Sequence, residues 1–360
     1  MIPVTKPFLP PIEEYSKLVA QIWDREHLTN NGPLVQKLEK NLTDYLDVPN
    51  ILYVNNGTIA IQIAIKALGL KGEIITTPFS YVATTSSIVW ENCTPVFVDI
   101  DKNSFNIDPT LIEESITERT TGILATHVFG NPCEIDVIKA IADKHNLKVI
   151  YDAAHCFGTK YNGTSVFKFG DISTTSFHAT KLFQTIEGGA IFTANSELQE
   201  RMWYMRNFGH NGQEQYNGVG INGKNSEFHA AMGLCNLDLI NGILVKRKQQ
   251  CELYYQNLLK HDRLKFQKMN ENSEWNFSYF SLVFPTENIC EHVIARLQKD
   301  DIYPRRYFYP SLSSLNYVEN QKTPVSDSVA SRILCLPLFH SLSNTEITEI
   351  CETIIKVINE

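Results

Sequence analysis

The sequence predicts an α/β fold, with a large domain on a mainly parallel mixed sheet and a smaller α+β C-terminal domain. Three observations carry this. Between about residues 50 and 195, short β-branched or aromatic runs alternate with longer helical patterns. A polar, Gly- and Asn-rich stretch then breaks the alternation. A long helical pattern follows it and leads into a region that mixes a strand with helices.

The strand runs are Ile51 to Val54, Glu73 to Thr77, Pro95 to Ile100, Gly122 to Phe129, Lys148 to Ala153, Thr174 to Phe177 and Ala190 to Thr193. Helices are predicted over Thr58 to Leu68, Ala83 to Trp90, Pro109 to Ile116 and Ile135 to His145. Strands joined through helices pair in parallel, and the helices cover both faces of the sheet. Asp108 before Pro109 is a good helix start, because an N-cap acid accepts free N–H groups and proline has none to lose. Arg201 to Lys224 is too polar for core and reads as a long functional loop. A helix from Ser226 to about Leu259, with a break expected near Gly242, carries the chain from a large domain (1–240) into a small one (241–360). The small domain takes the strand Tyr279 to Phe284, the helix Glu287 to Lys299 and a C-terminal helix from Thr345. The N-terminal segment is free to pack on it.

Composition narrows the function. With 40 Asp and Glu against 32 Lys and Arg, the net charge is −8, which argues against non-specific binding to nucleic acid. Eight cysteines lie scattered, with no CxxC pair and no metal-ligand spacing, so buried thiols in a reducing compartment are expected and no metal site is. Met1 to Pro7 lacks the pattern of a signal peptide, and no stretch reads as a membrane span, so a soluble cytoplasmic protein without membrane contact is expected.

Two motifs carry the chemistry. Tyr151-Asp152-Ala153-Ala154-His155 and Ser176-Phe177-His178-Ala179-Thr180-Lys181 each follow an apolar strand, where α/β sheets place their ligands. An acid at one strand end and a lysine beyond another is what pyridoxal phosphate requires. The amine condenses with the aldehyde, and the carboxylate keeps the pyridine nitrogen protonated. Alone, Asp152 would more simply cap a turn and Lys181 would be a solvated lysine. Their flanks shift that balance. Asn56-Gly57-Thr58 sits between a strand and a helix, where free N–H groups attract a phosphate, and Ser176 adds a hydroxyl. Tyr81 follows another strand and could stack on a flat ring. The paired glycines of Glu187-Gly188-Gly189 let the backbone turn tightly back into a strand.

With Leu28-Thr29-Asn30-Asn31-Gly32-Pro33 near the start and Leu336-Pro337-Leu338 near the end, this set resembles the DegT/DnrJ/EryC1/StrS family of nucleotide-sugar aminotransferases over nearly the whole chain. The resemblance implies the aspartate-aminotransferase fold, called fold type I. It implies that Lys181 carries the cofactor and shuttles the proton, and that Asp152 pairs with the pyridinium nitrogen. His155 would sit near the ring hydroxyl, Tyr81 would stack, and Gly57, Thr58 and Ser176 would hold the phosphate. Asn222 would reach the phosphate of a partner subunit, so that a homodimer shares its active sites. The implied reaction moves an amino group from L-glutamate to a nucleotide-linked 4-keto-6-deoxy sugar, with dTDP-4-keto-6-deoxy-D-glucose favoured, for surface polysaccharide (O-antigen) synthesis. A 3-keto sugar nucleotide is the alternative. A sugar dehydratase of the same family would replace the lysine with histidine, and a regulator would need a basic DNA-reading helix.

Two positions depart from the family pattern. His155 stands where glutamine is common, and its charge state is expected to add a pH dependence. Lys224 stands where arginine closes the Gly-x-Asn-x-Arg loop, keeping the charge but losing the planar fork for an anion. In Tyr303-Pro304-Arg305-Arg306-Tyr307-Phe308-Tyr309-Pro310, Arg305 and Tyr309 suit a nucleoside diphosphate. A basic turn with packed aromatics is the equal alternative. The GxGxxG match at Gly218 to Gly223 follows a polar loop instead of a strand, so a dinucleotide site is not expected there.

Overall fold

Apolar side chains alternate along the central strands and so sort to two faces of one sheet. The computed structural model describes residues 1–360. The sheet has seven strands: β1 (Ile51–Val54), β2 (Glu73–Thr76), β3 (Thr94–Phe97), β4 (Thr120–Thr126), β5 (Lys148–Asp152), β6 (Ile172–Ser176) and β7 (Gly189–Phe192). Their order is β1-β7-β6-β5-β4-β2-β3, parallel throughout except for β7, which runs antiparallel to both neighbours. Leu52, Val54, Ile74, Leu124, Ile150, Ile172 and Ile191 pack on one face with the apolar residues of α3 (Gly57–Ala67). Tyr53, Ile75, Ile123, Ala125, Val149, Tyr151, Ala190 and Phe192 pack on the other, against α2 (Pro33–Leu46), α5 (Ile135–His145) and α7 (Glu227–Leu258). Two buried faces explain why these strands read as continuous apolar runs.

The remaining helices are α1 (Ile12–Arg25), α4 (Val82–Trp90), α6 (Ser196–Arg206), α8 (Glu287–Lys299), α9 (Pro324–Arg332) and α10 (Asn344–Asn359). A three-stranded antiparallel sheet, with Phe280–Val283 between Lys265–Phe266 and Ile333–Leu336, packs with α8, α10 and the second half of α7 around its own apolar core. A further core joins it to the large sheet, with Phe79, Phe105 and Phe129 on one side and Tyr279, Phe308 and Ile333 on the other. The N-terminus lies on the small sheet's side, where Ile2–Pro3 pairs with Ile302–Tyr303.

Four expectations need correction. Pro109 to Ile116 is two 3-10 turns, Pro109–Leu111 and Glu113–Ser115, and not one α-helix. Asp108 does cap the first by accepting from the Thr110 N–H. The chain is then drawn into β4 by Thr117, whose hydroxyl donates to the largely buried Glu73 carboxylate at 2.5 Å. Gly242 does not break α7, because one exposed glycine costs only about 1 kcal/mol in a helix held by tertiary packing. The polar stretch begins as helix up to Arg206, and only its remainder is an irregular excursion, closed at its feet by an Asn207–Asn222 bridge. By length and composition α7 could cross a membrane, yet more than half of its most apolar window is buried inside the fold. All eight cysteines are buried and unpaired.

Candidate active site

The carboxyl ends of β4, β5 and β6 and the N-terminus of α3 converge on a cavity of about 270 Å³. The small domain closes it with Tyr279, Arg305, Tyr307 and Phe308. Of the residues named from sequence, Gly57, Thr58, Tyr81, Asp152, His155, Ser176, Lys181 and Arg305 line this one space.

Asp152 ends β5 and is buried. Its Oδ2 accepts from the Thr84 hydroxyl at 2.7 Å and its Oδ1 from the Ala154 N–H at 3.2 Å. Burial raises its pKa, opposed by those two donors and by the charge of Lys181. Lys181 is half-buried in the cavity wall, and its pKa is lowered to about 8 by desolvation, with Asp152 and Tyr81 pulling the other way. No ion pair joins Asp152 to Lys181, although each feels the other's charge. The lysine therefore offers a neutral amine near pH 8 that is not captured by the acid.

Gly57 and Thr58 open α3, so their N–H groups have no acceptor within the helix. Asn56 caps the helix by accepting from the Ile59 N–H at 2.8 Å. A Cβ on Gly57 would lie 2.9 Å from Ser176 Cβ, so only glycine lets the strand end and helix end approach this closely. The result is an anion-binding corner with two free N–H groups and the Ser176 hydroxyl. The glycine pair 188–189 serves crowding instead of a turn. Neither has a positive φ, and a Cβ on Gly189 would sit 2.5 Å from the Asn56 carbonyl carbon. Ile186 takes the left-handed conformation (φ 66°) instead.

His155 corrects the expected pH dependence. Its Nδ1 accepts from the Phe129 N–H at 3.2 Å, which leaves the proton on Nε2 as a donor. Burial, and then the charge of Lys181, hold its pKa well below the ordinary value, so the ring stays neutral wherever an enzyme works. Tyr279 lies tilted against it at 4.6 Å and Phe308 stacks parallel at 5.9 Å.

Tyr81 is the N-cap residue of α4 and 54% exposed at the cavity mouth. Arg305 makes no hydrogen bond or ion pair through its guanidinium, which lies 4.9 Å from the Tyr307 ring centroid. Tyr309 is not in the main cavity. It lines an adjacent one of about 160 Å³, beneath the Arg306 guanidinium at 3.6 Å. Asn222 and Lys224 do not line the cavity of their own chain. Asn222 is exposed, and Lys224 bonds Asn207 Oδ1 at 2.7 Å and lies over the Phe208 ring.

Several lining residues were given no role by the sequence. Ser80 and Thr126 sit beside Asp152, and His178, Thr180 and Glu187 form a rim. There His178 Nδ1 accepts from the Thr180 N–H at 3.2 Å and Nε2 faces Glu187 at 3.5 Å. His178 and Thr180 lie inside the SFHATK motif, which could have flagged them; the two hydroxyls sit in ordinary strand and turn sequence.

Comparison with known proteins agrees with this architecture. The chain is 43% identical over 365 residues to a dTDP-4-amino-4,6-dideoxy-D-glucose transaminase of Shigella dysenteriae, covering 99% of this chain and 98% of the relative. It is 38% identical over 364 residues to a protein of that name from Escherichia coli, covering 98% of each. The solved structure of DesI in the presence of its TDP-sugar product superposes with a TM-score of 0.94 at 28% identity, covering 99% of this chain and 93% of that one. The model of the DegT/DnrJ/EryC1/StrS aminotransferase family matches residues 11–355, and the chain belongs to that family.

Proposed function

We propose that this sugar-nucleotide aminotransferase uses pyridoxal phosphate to move an amino group from L-glutamate to dTDP-4-keto-6-deoxy-D-glucose. The single observation that carries the cofactor reading is the lowered, uncaptured amine of Lys181 facing a buried carboxylate across one cavity. The residues fit the group. The N-terminus of α3 with Ser176 takes the phosphate, Asp152 takes the ring nitrogen and Nε2–H of His155 takes the ring hydroxyl, with Tyr81 at hand to stack on the ring. When bound, the cofactor supplies an electron sink and an amine carrier. Lys181 holds it and moves the proton at the reacting carbon, acting as base and then acid. Arg305 is a free cation for an anionic group of the substrates. The C-4 position and the dTDP carrier rest on the names of the two relatives, and use of the product in surface polysaccharide rests on the family resemblance alone.

A yellow band that borohydride fixes to Lys181, and that L-glutamate bleaches, is the expected spectrum. A colourless protein indifferent to added pyridoxal phosphate would overturn the reading. Assays with 3-keto and 4-keto sugar nucleotides then decide the carbon.

We further infer a homodimer in which the loop carrying Asn222 and Lys224 completes the neighbouring site, since neither residue serves its own cavity. Mixing inactive Lys181→Ala with Asn222→Asp chains should then restore roughly one quarter of wild-type activity, because half the dimers regain one intact site. No recovery would mean that the loop serves its own chain.

A further inference from the structure

Three hydroxyls behind Asp152 form a directed chain that the roles above leave unused. The Thr84 hydroxyl donates to Asp152 Oδ2 at 2.7 Å, Ser80 Oγ lies 2.7 Å from Thr84 Oγ1, and the Thr126 hydroxyl donates to Ser80 Oγ at 3.0 Å. Proton counting fixes the direction. A carboxylate only accepts, and Thr84 has one proton, so that proton goes to Asp152 and its oxygen must accept from Ser80. Ser80 has then spent its own proton and accepts from Thr126. All three dipoles point at the carboxylate.

The three come from separate elements. Thr126 is the last residue of β4, Ser80 lies in the turn after β2, and Thr84 is in the first turn of α4. All three are buried, at 4%, 1% and 0% exposure, so water does not compete for them. Ser80 and Thr126 line the cavity, whereas Thr84 does not. Thr84 therefore reaches a ligand only through Asp152.

We propose that Thr126, Ser80 and Thr84 are positioning residues, a one-way hydroxyl relay that orients Asp152 and keeps its carboxylate ionised for the ring nitrogen of the cofactor. The ring nitrogen as its target rests on the cofactor reading given above; the relay itself does not. Physically, a buried carboxylate needs donors to stay charged, and donors in series polarise one another in a low-dielectric interior. His155, His178, Lys181, Glu187, Arg305 and the phenols of Tyr81, Tyr279 and Tyr307 line the cavity with the carboxylate; of these, Lys181 is the charge that acts on Asp152, and His155 is neutral. The relay thus supplies stabilisation that Lys181 no longer gives once its own charge is lost.

The test titrates the Asp152 carboxyl carbon by 13C NMR in the full chain without cofactor, assigned by its loss in Asp152→Asn, alongside the affinity for pyridoxal phosphate. Thr84→Val should raise the midpoint by about one unit or more and weaken cofactor binding about 10-fold, and Thr84→Ser should restore both. Ser80→Ala should shift the midpoint less and Thr126→Val least. Ser80→Ala should add nothing in a Thr84→Val background, because the chain is already cut there. A wild-type midpoint in Thr84→Val, or a further shift from Ser80→Ala in that background, overturns the relay. If the chain bound no pyridoxal phosphate at all, the NMR midpoints would still report on the relay, so the two failures are separable. Ser80→Ala and Thr84→Ser keep the test readable should Thr84→Val fail to fold.

Discussion

The cavity has two unlike walls. On the large-domain side Asp152, Thr84, Ser80 and Thr126 are buried and bonded to one another, and the nearby Gly57 admits no larger residue. On the small-domain side the Arg305 guanidinium makes no hydrogen bond or ion pair and lies against the Tyr307 ring. Arg306, its neighbour in sequence, is by contrast held through both terminal nitrogens of its guanidinium. It pairs with Glu287 at 2.5 Å and Glu291 at 3.8 Å and donates to the Ser331 carbonyl. A carboxylate held by donors buried in the fold is preorganised for one fixed group, and a free guanidinium on the facing wall is shaped to receive ligands that come and go. On the proposed function, the large domain then sets the chemistry and the small domain has a say in what is presented to it.

The comparison breaks most sharply at Lys181. On the proposed function, replacing it with alanine removes both the covalent anchor and the acid–base group, so turnover should fall at least about 10⁴-fold while the fold survives. Activity close to wild type by coupled assay would mean that the committed wall does not perform the chemistry. Gly57→Ala acts on the same wall by crowding. Its Cβ meets Ser176 Cβ and comes within 3.4 Å of the Thr175 carbonyl oxygen, so about 1–3 kcal/mol of strain is expected, seen as cofactor affinity lowered 10-fold or more with a modest fall in Tm. The free wall should respond differently. Arg305→Gln loses a charge-assisted contact worth about 1.5–3 kcal/mol, raising KM about 10- to 100-fold for the anionic substrate it holds, with kcat and Tm little changed. Arg306→Gln should instead lower Tm and leave KM near wild type. Steady-state kinetics with each substrate varied in turn would expose a reversal of that pattern.

What was legible in the sequence divides along the same line. Strand ends marked Asp152 and Lys181, because apolar β-branched runs that stop at a charged or polar residue show where a parallel sheet opens. The seven strands were read within a few residues for the same reason, whereas Pro109 to Ile116 looked helical because its cap is real and its recruitment by Glu73 is long-range. Ser80, Thr84 and Thr126 were missed because a hydroxyl in a turn, helix or strand has no periodic signature. Its value comes from a partner 46 or 68 positions away. Helices α1 and α2 were not picked out either. Part of what anchors them lies in α7, where buried Glu227 accepts from the Leu34 and Val35 N–H groups at 2.9 Å each. The partial charge of those N–H groups gives a buried acid its place.

The smallest effect separates the two buried histidines from the acid beside them and appears in stability instead of rate. His127 is fully buried, accepts from the Cys133 N–H at 3.0 Å and stacks on Tyr151 at 4.5 Å. Burial lowers its pKa to about 3, and His155 is likewise driven well below its ordinary value. For both, the unfolded chain takes up a proton near pH 6.5 while the folded chain does not. Their contribution is therefore intact above about pH 6.5 and is lost as pH falls towards the folded values. Each ring alone steepens the loss by about 1.4 kcal/mol per pH unit, so the pair sets a slope near 3 kcal/mol per unit between those limits. Asp152 works in the opposite sense. Its raised pKa means that the folded chain binds the proton first, which offsets part of the loss at the acid end. Urea midpoints measured at several pH values between about 4 and 7 should show His155→Gln flattening the slope by close to one ring's share. An unchanged slope in that variant would show that His155 is already protonated in the folded chain, and Nδ1 could then no longer accept from Phe129.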